Sequence, residues 1–163
     1  MRHVISVYVD NKFGVLARVS GLFMRRGFNI DSLTVGETED PDFSRITVTV
    51  HGNESLRDQV VNQLTKLYNV KRVKSLSYDE TTERELLLIK VANTSKKRNE
   101  IISATEVYRG TIVDYSSNSI TIEITGEPNK ISSFIELMKP VGIIELCRTG
   151  IVALERGINT LGE

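Results

Sequence analysis

The chain carries the same order of strands and helices twice, and this repetition limits the folds that are open to it. In each half, segments with apolar residues at every second position alternate with segments whose apolar residues have helical spacing. The order in both halves is strand, helix, strand, strand, helix, strand. The segments predicted in the first half are 3–10, 15–26, 28–36, 43–52, 56–67 and 70–78. Those predicted in the second half are 84–92, 96–108, 110–116, 119–126, 129–139 and 143–154.

The residues that end and begin the helices support a duplicated architecture. The first helix of each half ends in an Arg-Gly pair, at Arg26-Gly27 and at Arg109-Gly110, and a glycine after a helix is a common stop signal. Pro128 stands where proline favours the start of the last helix. We therefore predict an α+β protein of two ferredoxin-like βαββαβ sandwiches in tandem, each with two helices on one face of a four-stranded antiparallel sheet.

The boundary between the halves is predicted at the segment "SYDETTER", residues 77–84. This segment is short, acidic and polar, as the linkers between domains often are. We accordingly place the first domain at 1–77 and the second at 78–163.

Self-association is expected from the exposed parts of such sheets. The strands "ITVTV" at 46–50 and "SITIEI" at 119–124 are short, β-branched and barely charged, so we expect their free edges to pair with a second copy. Pairing of two first domains would place two copies of the first helix side by side across a two-fold axis. Gly21, with Ala17 one turn earlier, fits either close helix packing or an exposed position that tolerates glycine, and both alternatives stay open.

Composition disfavours several classes of partner. Lys plus Arg and Asp plus Glu both total 21, so the formal net charge is +0 and no global field attracts nucleic acid or an anionic membrane. No apolar run reaches the roughly 20 residues that a membrane-spanning helix needs. The one cysteine, Cys147, lies in a predicted apolar strand, and we expect a packed residue rather than a disulfide or a nucleophile. We predict a cytoplasmic protein without nucleic-acid or membrane partners.

The segment "DNKFGVLARVSGLF", residues 10–23, contains the strongest candidate for a binding site. A turn before a helix presents unpaired backbone N–H groups and the positive end of the helix dipole, where a carboxylate can bind. Gly14 allows close approach to the backbone, and the amide of Asn11 both donates and accepts hydrogen bonds. Taken alone, the same two residues are better explained by an ordinary strand-to-helix turn, because Asn and Gly are the commonest turn residues.

The same stretch resembles a known family. Residues 10–45 are similar to the N-terminal ACT domain of the regulatory, or small, subunit of acetohydroxyacid synthase, also called acetolactate synthase. The matching positions are Asn11, Gly14, Val15, Leu16, Arg18, Leu22, Phe23, Arg26, Gly27, Asn29, Ile30, Ser32, Leu33, Thr34 and Val35. The motifs "RELLLIKV", "EVYRGTIVD" and "RTGIVALERG" resemble the C-terminal domain of that family. Phe13 departs from the pattern, since many relatives carry Pro or a small polar residue there.

The resemblance implies a regulatory subunit without chemistry of its own. Such a subunit binds and activates a catalytic large subunit, which uses thiamine diphosphate, FAD and Mg²⁺ to condense pyruvate with a second 2-oxo acid in branched-chain amino-acid synthesis. It also carries a feedback site, usually for valine, between the ACT domains of a homodimer. The positions implied for this effector are Asn11, Gly14, Val15 and Leu16 of one copy, with Asn29 and Ile30 of the other.

One effector site per chain is expected, because the turn "VANTSKKRNE" of the second half has no glycine at the corresponding place.

Two other functions compete with that of a regulatory subunit. An RNA-recognition module has a similar element order, but its central strands carry stacking aromatics, and "RITVTVHG" has none. A free-standing ACT-type sensor acting on another enzyme or a transcription factor would present the same ligand site. His3 and His51 lie in predicted strands without neighbours at metal-ligand spacing, so we expect no metal site.

Overall fold

A computed structural model describes residues 1–161, which form two compact units. The first unit comprises residues 1–82 together with residues 151–161, and the second comprises residues 83–150. The elements that belong to the first unit are β1 (Arg2–Asp10), α1 (Val15–Arg26), β2 (Ser32–Glu37), β3 (Phe43–His51), α2 (Glu54–Thr65), β4 (Val70–Leu76) and β9 (Val152–Glu155). Strand β5 (Thr81–Ala92) begins at the boundary, and the second unit continues with α3 (Arg98–Val107), β6 (Thr111–Tyr115), β7 (Ser119–Gly126), α4 (Pro128–Met138) and β8 (Ile143–Arg148).

The first unit is an antiparallel sheet of order β2-β3-β1-β4, with α1 and α2 packed on one face. Alternate residues of the strands meet the helices, and their apolar side chains form the core because the other alternate set points away. The fully or nearly fully buried members are Ile5, Val7, Val9, Val15, Val19, Leu22, Phe23, Ile46, Val48, Val50, Val60 and Leu64. The predicted ferredoxin-like sandwich is therefore confirmed for this unit.

The second unit repeats the arrangement, with sheet order β6-β7-β5-β8 and helices α3 and α4. Its core has the same origin in alternating strand residues and helical stripes. The members include Leu87, Ile89, Val91, Ile101, Ile120, Ile122, Ile124, Ile131, Phe134 and Met138. Pro128 is the first residue of α4, as predicted. The tandem of two ferredoxin-like folds is thus confirmed.

The two Arg-Gly pairs end their helices for different reasons. Gly27 adopts the left-handed conformation after α1, with φ 66°, and its N–H donates to the Met24 carbonyl. After α3 it is Arg109 that takes the left-handed conformation, with φ 54°. Gly110 is needed there because a Cβ atom would lie 2.8 Å from a side-chain atom of Ile124. The sequence motif recurs, but the conformational role moves from the glycine to the arginine.

The edges of the sheets differ from the sequence-based expectation. Residues 46–50 lie in β3 and residues 119–124 lie in β7, and both strands are central in their sheets. The free edges of the first sheet belong to β2 and β4. Apolar periodicity identifies a strand but not its neighbours, so the uncharged strands were wrongly assigned to the edges. A central strand has both edges paired and needs no charge to keep a second copy away.

The predicted strand 143–154 is interrupted. It divides into β8 and β9, because Gly150 takes a φ of 82° between them. From Ile151 the chain packs in the first unit, on the face of the first sheet that the helices leave free. Ile151 and Ala153 are buried against Val4 and Leu76 of that sheet. This segment falls within the sequence-based range of the second domain.

Cys147 is exposed on β8, so the expectation of a packed cysteine is wrong; the other side chains around it in β8 are also largely exposed because β8 is an edge strand. Among residues 1–161, no helix is both long and apolar enough to cross a membrane.

Candidate functional site

The turn between β1 and α1 leaves the amino end of the helix open. Gly14 is the residue before α1 and adopts φ 81° and ψ −6°, a left-handed conformation that other residues rarely take. The Val15 N–H donates to the Lys12 carbonyl at 3.3 Å, and the helical hydrogen bonds start with the Arg18 N–H on the Gly14 carbonyl. No side chain caps the helix, and its first turn has no acidic residue. Its N–H groups and the positive end of its dipole therefore suit an anionic group.

Asn11 ties this turn to the hairpin between β2 and β3. Its side-chain Nδ2 donates to the Pro41 carbonyl at 2.9 Å and to Glu37 Oε1 at 3.2 Å. Its backbone N–H donates to the Asp42 carbonyl at 2.7 Å. The side chain itself is exposed. Asn11 is consequently held beside the end of the edge strand β2, with its side-chain oxygen available to a ligand.

Val15 and Leu16, the next predicted site residues, face different surroundings. Val15 is 4% exposed and belongs to the core under α1, whereas Leu16 is 44% exposed. Their roles at the turn therefore differ: Val15 anchors the helix start, and Leu16 presents an apolar side chain to a neighbour or ligand.

Asn29 and Ile30 lie in the segment between Gly27 and β2, rather than in the second strand where the sequence pattern places them. Asn29 is exposed and donates from Nδ2 to Asp31 Oδ1 at 3.3 Å. Ile30 is half-buried and packs against the core. The following residue, Asp31, pairs with His51 through its carboxylate.

Within one chain, the Asn11 turn and the segment of Asn29 and Ile30 lie at opposite ends of β3. Asn11 N–H bonds the carbonyl of Asp42, just before β3, and Asp31 N–H bonds the carbonyl of Thr49, near its end. Seven residues separate those carbonyls, which is about 23 Å at ~3.3 Å per residue of extended strand. A single chain therefore does not bring the two halves of the predicted site together.

Two residues that support the turn were missed by the sequence analysis. Asn69 donates from Nδ2 to Asp10 Oδ2 at 3.0 Å, and its Oδ1 accepts from the Arg18 guanidinium at 2.8 Å. The hydrogen bond from Asn69 lowers the pKa of Asp10, burial opposes this, and Lys71 lowers the pKa further. This network fixes the end of β1 against the first helical turn. No local motif in the sequence signals it, because Asp10 and Asn69 are far apart along the chain.

The corresponding turn of the second unit is built differently. Lys97 precedes α3 with an ordinary φ of −106°. Asn93 is 7% exposed, and its side chain is used internally, donating to the Ser116 carbonyl at 2.6 Å and accepting from Arg98 Nε at 3.0 Å. This turn has neither the glycine nor the exposed amide of the first one.

Within residues 1–161, no three His, Cys, Asp or Glu side chains are grouped so as to hold a metal ion. His3 lies in β1 and His51 at the end of β3. The groups gathered at the first turn are backbone N–H groups, the Asn11 amide, the Glu37 carboxylate and the apolar side chain of Leu16.

Comparison with known proteins agrees with this description in both units. Residues 5–72 match the family model of the AHAS small subunit-like ACT domain, and residues 84–157 match that of the small subunit of acetolactate synthase. The two matches together extend over most of the chain.

Full-length relatives carry the same description. The probable acetolactate synthase small subunit of Archaeoglobus fulgidus is 52% identical over 157 residues, covering 96% of this chain and 98% of the relative. The acetolactate synthase small subunit of Mycolicibacterium smegmatis is 45% identical over 160 residues, covering 98% and 95%. The crystal structure of the acetolactate synthase small subunit from Thermotoga maritima superposes with a TM-score of 0.88 at 41% identity, covering 96% of this chain and 98% of that one.

An ACT domain followed by a second ferredoxin-like domain, matched along the chain by small subunits, is the architecture of a regulatory subunit rather than of a catalytic one. The extent of the sequence match then identifies the family of regulatory subunits. The chain belongs to the family of acetolactate synthase small subunits.

Proposed function

We propose that this subunit activates a catalytic large subunit of acetolactate synthase in the cytoplasm and makes it sensitive to feedback inhibition by valine. The observation that carries the proposal is the uncapped, glycine-led start of α1, with the exposed Asn11 amide held beside it. The family membership supplies the partner, whose thiamine diphosphate, FAD and Mg²⁺ do the chemistry. Full-length similarity to small subunits favours this role over that of a free-standing sensor.

A homodimer through the edge of β2 is the arrangement that the first sheet favours. The other edge strand, β4, carries Lys71, Arg72 and Lys74, and charges of this kind discourage strand pairing. In β2 the only charged residue is Glu37, and Val35 is 41% exposed. Antiparallel pairing of two β2 strands would join the two first units into one continuous sheet with a two-fold axis.

This pairing reunites the two halves of the site. In an antiparallel β2 pair, the start of one strand lies beside the end of the other. The start follows Asn29 and Ile30, and the end is Glu37, which is hydrogen-bonded to Asn11. Asn29 of the partner subunit and Ile30 of the partner subunit therefore come close to the open turn. The separation of about 23 Å within one chain is replaced by proximity between two chains.

The chemistry of this interface suits a small aliphatic amino acid. The α-carboxylate binds to the N–H groups at the start of α1, where the helix dipole favours an anion. The α-ammonium lies near Glu37 and the Asn11 side-chain oxygen. Leu16 and Ile30 of the partner subunit enclose the isopropyl group. With one such turn per chain, a dimer holds two effector sites.

Feedback inhibition follows if valine stabilises one of two dimer arrangements. A ligand that touches both chains favours the arrangement in which all of its contacts are made. A coupling of about 1–3 kcal/mol shifts the equilibrium between the two arrangements about 5- to 150-fold. The second unit, which lacks such a turn, is assigned to assembly and activation.

Substitution at Gly14 tests the site. Gly14→Asp places a negative charge where the effector carboxylate binds, and Gly14→Asn is a control of nearly the same shape that also tolerates a left-handed backbone. We expect Gly14→Asp to weaken valine binding in titration calorimetry at least tenfold more than Gly14→Asn does. Valine inhibition of acetolactate formation should be lost in parallel, while activation of the large subunit remains. Equal valine affinity in both variants would contradict the site.

A further inference from the structure

A second cleft lies in the first unit, away from the turn. It occupies about 460 Å³ on the helix-free face of the first sheet. Its floor includes Ser6, Tyr8 and Arg45, and the segment from Leu154 to Leu161 forms one wall. A volume of this size lies in the range typical of small-molecule sites.

The floor contains a buried hydroxyl group without a partner. Ser6 is 0% exposed, and its Oγ has no hydrogen-bond partner among the described residues. An unsatisfied buried hydroxyl destabilises the folded chain, so native proteins seldom retain one without a use for it. The hydroxyl is closed off here, so a polar atom of a bound molecule reaches it only when the side chains of the floor move aside.

Charges of both signs line the cleft. Arg45 donates from Nη1 to the Ala153 carbonyl at 3.1 Å, and its planar guanidinium carries further donors that suit a carboxylate. Glu39 and Asp40, at the tip of the β2–β3 hairpin, contribute two exposed carboxylates. Glu155 also lines the cleft, but its carboxylate is engaged by Lys74 at 2.6 Å.

Apolar surface completes the cleft. Tyr8 is stacked on Phe43, with ring centroids 4.9 Å apart, and thus presents a fixed aromatic surface. Leu76 and Leu154 contribute aliphatic side chains. Tyr8 and Phe43 thus form an aromatic pair on the two central strands, although the segment "RITVTVHG" contains no aromatic residue. Because Tyr8 is only 9% exposed, its ring is too buried to stack on RNA bases.

We propose that this cleft binds a free α-amino acid with an apolar side chain, at a site separate from the turn before α1. The carboxylate is taken by Arg45 and, after that movement of the floor, by the Ser6 hydroxyl. The ammonium is taken by Glu39 and Asp40, and the side chain by Tyr8, Leu76 and Leu154. An anionic metabolite without an ammonium group is disfavoured, because the carboxylates in the cleft would repel it. The chain then holds two amino-acid sites of different design.

The experiment isolates the cleft from the turn site. The full chain carrying Gly14→Asp is titrated with L-phenylalanine by calorimetry, and with 3-phenylpropionate and 2-phenylethylamine, which each lack one of the two charged groups. We expect binding of one L-phenylalanine per chain and at least tenfold weaker binding of both analogues, because each lost charged contact is worth about a factor of ten or more.

Matched variants in the same background locate the binding. Glu39→Gln with Asp40→Asn should weaken L-phenylalanine binding at least tenfold, whereas Asp42→Asn, which neutralises a hairpin carboxylate outside the cleft, should leave it unchanged. Ser6→Ala should weaken binding several-fold without lowering the urea midpoint, since its hydroxyl has no partner in the unliganded chain.

The proposal is overturned if L-phenylalanine gives no heat with the Gly14→Asp chain, or if neutralising Glu39 and Asp40 leaves its affinity unchanged. The outcome is independent of the valine site. Failure of the turn proposal would appear as valine binding that survives Gly14→Asp, whichever result the cleft variants give.

Discussion

The pair formed by Glu85 and Arg148 gives a quantitative test of how the second unit is held together. Glu85 lies in β5 and Arg148 ends β8, and two hydrogen bonds of 2.6 and 2.8 Å join the guanidinium to both carboxylate oxygens. Contact with Glu85 raises the pKa of Arg148. The two side chains differ in burial, since Glu85 is 4% exposed and Arg148 is 36% exposed. Removing one partner should therefore not be equivalent to removing the other.

The difference in burial sets the expected magnitudes. Arg148→Met leaves a buried carboxylate without its partner, which costs about 3–5 kcal/mol. Glu85→Gln leaves a guanidinium that still reaches water and keeps an acceptor beside it, so the loss is about 1.5 kcal/mol, the lower end for a charged hydrogen bond. The double variant should lose less than the sum of the two, because the residues form one interaction.

Amide hydrogen exchange is the suitable assay, since the chain has two units and a single unfolding signal would mix them. The amides of Leu87 and Ile89 report on the second core, and those of Val7 and Val48 on the first. We expect Arg148→Met to lower the protection of Leu87 and Ile89 by more than tenfold beyond the effect of Glu85→Gln. Protection of Val7 and Val48 should not change.

A larger loss for Glu85→Gln than for Arg148→Met would refute this reasoning, because it would mean that burial of the carboxylate does not control the cost. Equal losses in both units would also refute it. The pair would then act on the whole chain rather than on the sheet that contains it.

Three other predictions follow from the fold. Gly27→Ala should cost about 1–2 kcal/mol through its left-handed backbone, and Gly110→Ala about 1–3 kcal/mol through a Cβ 2.8 Å from a side-chain atom of Ile124. Amide exchange in the first core measures the first loss and exchange in the second core measures the second, and shortening the Ile124 side chain should relieve only Gly110→Ala. The lowered pKa of Asp10 means that its contribution to stability is present above the usual pKa of an aspartate and is lost as pH falls through the lowered value. The urea midpoint of the first unit in Asp10→Asn should accordingly lie below wild type at neutral pH and converge with it as the pH falls below the usual pKa of an aspartate, and a constant gap would count against the assignment. Val35→Lys on β2 should shift sedimentation toward monomer, whereas Val113→Lys, the same change at 49% exposure on β6, should not; similar behaviour of both variants would argue against β2 as the interface.

The spacing of apolar residues predicted most strands and helices of this fold, but not which strands lie next to each other in the sheets. The alternation in β1 and the helical stripe from Val15 to Phe23 are local properties, and the helix end at Gly27 depends on one residue. Which strands lie at the edges depends on the sheet order, which no short stretch encodes. Residues 46–50 and 119–124 carry little charge because they lie in central strands, whose two edges are both paired. The sequence analysis took this low charge as a sign of a free edge, which is why the assignment was wrong.

The candidate site was only partly accessible to sequence reasoning for a similar reason. Asn11 and Gly14 stand together in one turn, so their joint use was predictable. The support from Asn69, by contrast, depends on β4 lying next to β1. The partnerless hydroxyl of Ser6 was equally hidden, since one serine in an apolar strand gives no signal of what lies above it.

The return of residues 151–161 to the first sheet has a consequence for how the molecule is made. Translation completes the second unit before the ribosome has supplied Ile151 and Ala153, the residues that bury Val4 and Leu76. During synthesis, Val4 and Leu76 of the first unit therefore stay uncovered until residues 151–161 emerge. A fragment ending at residue 77 would leave these apolar side chains exposed and would be prone to aggregate.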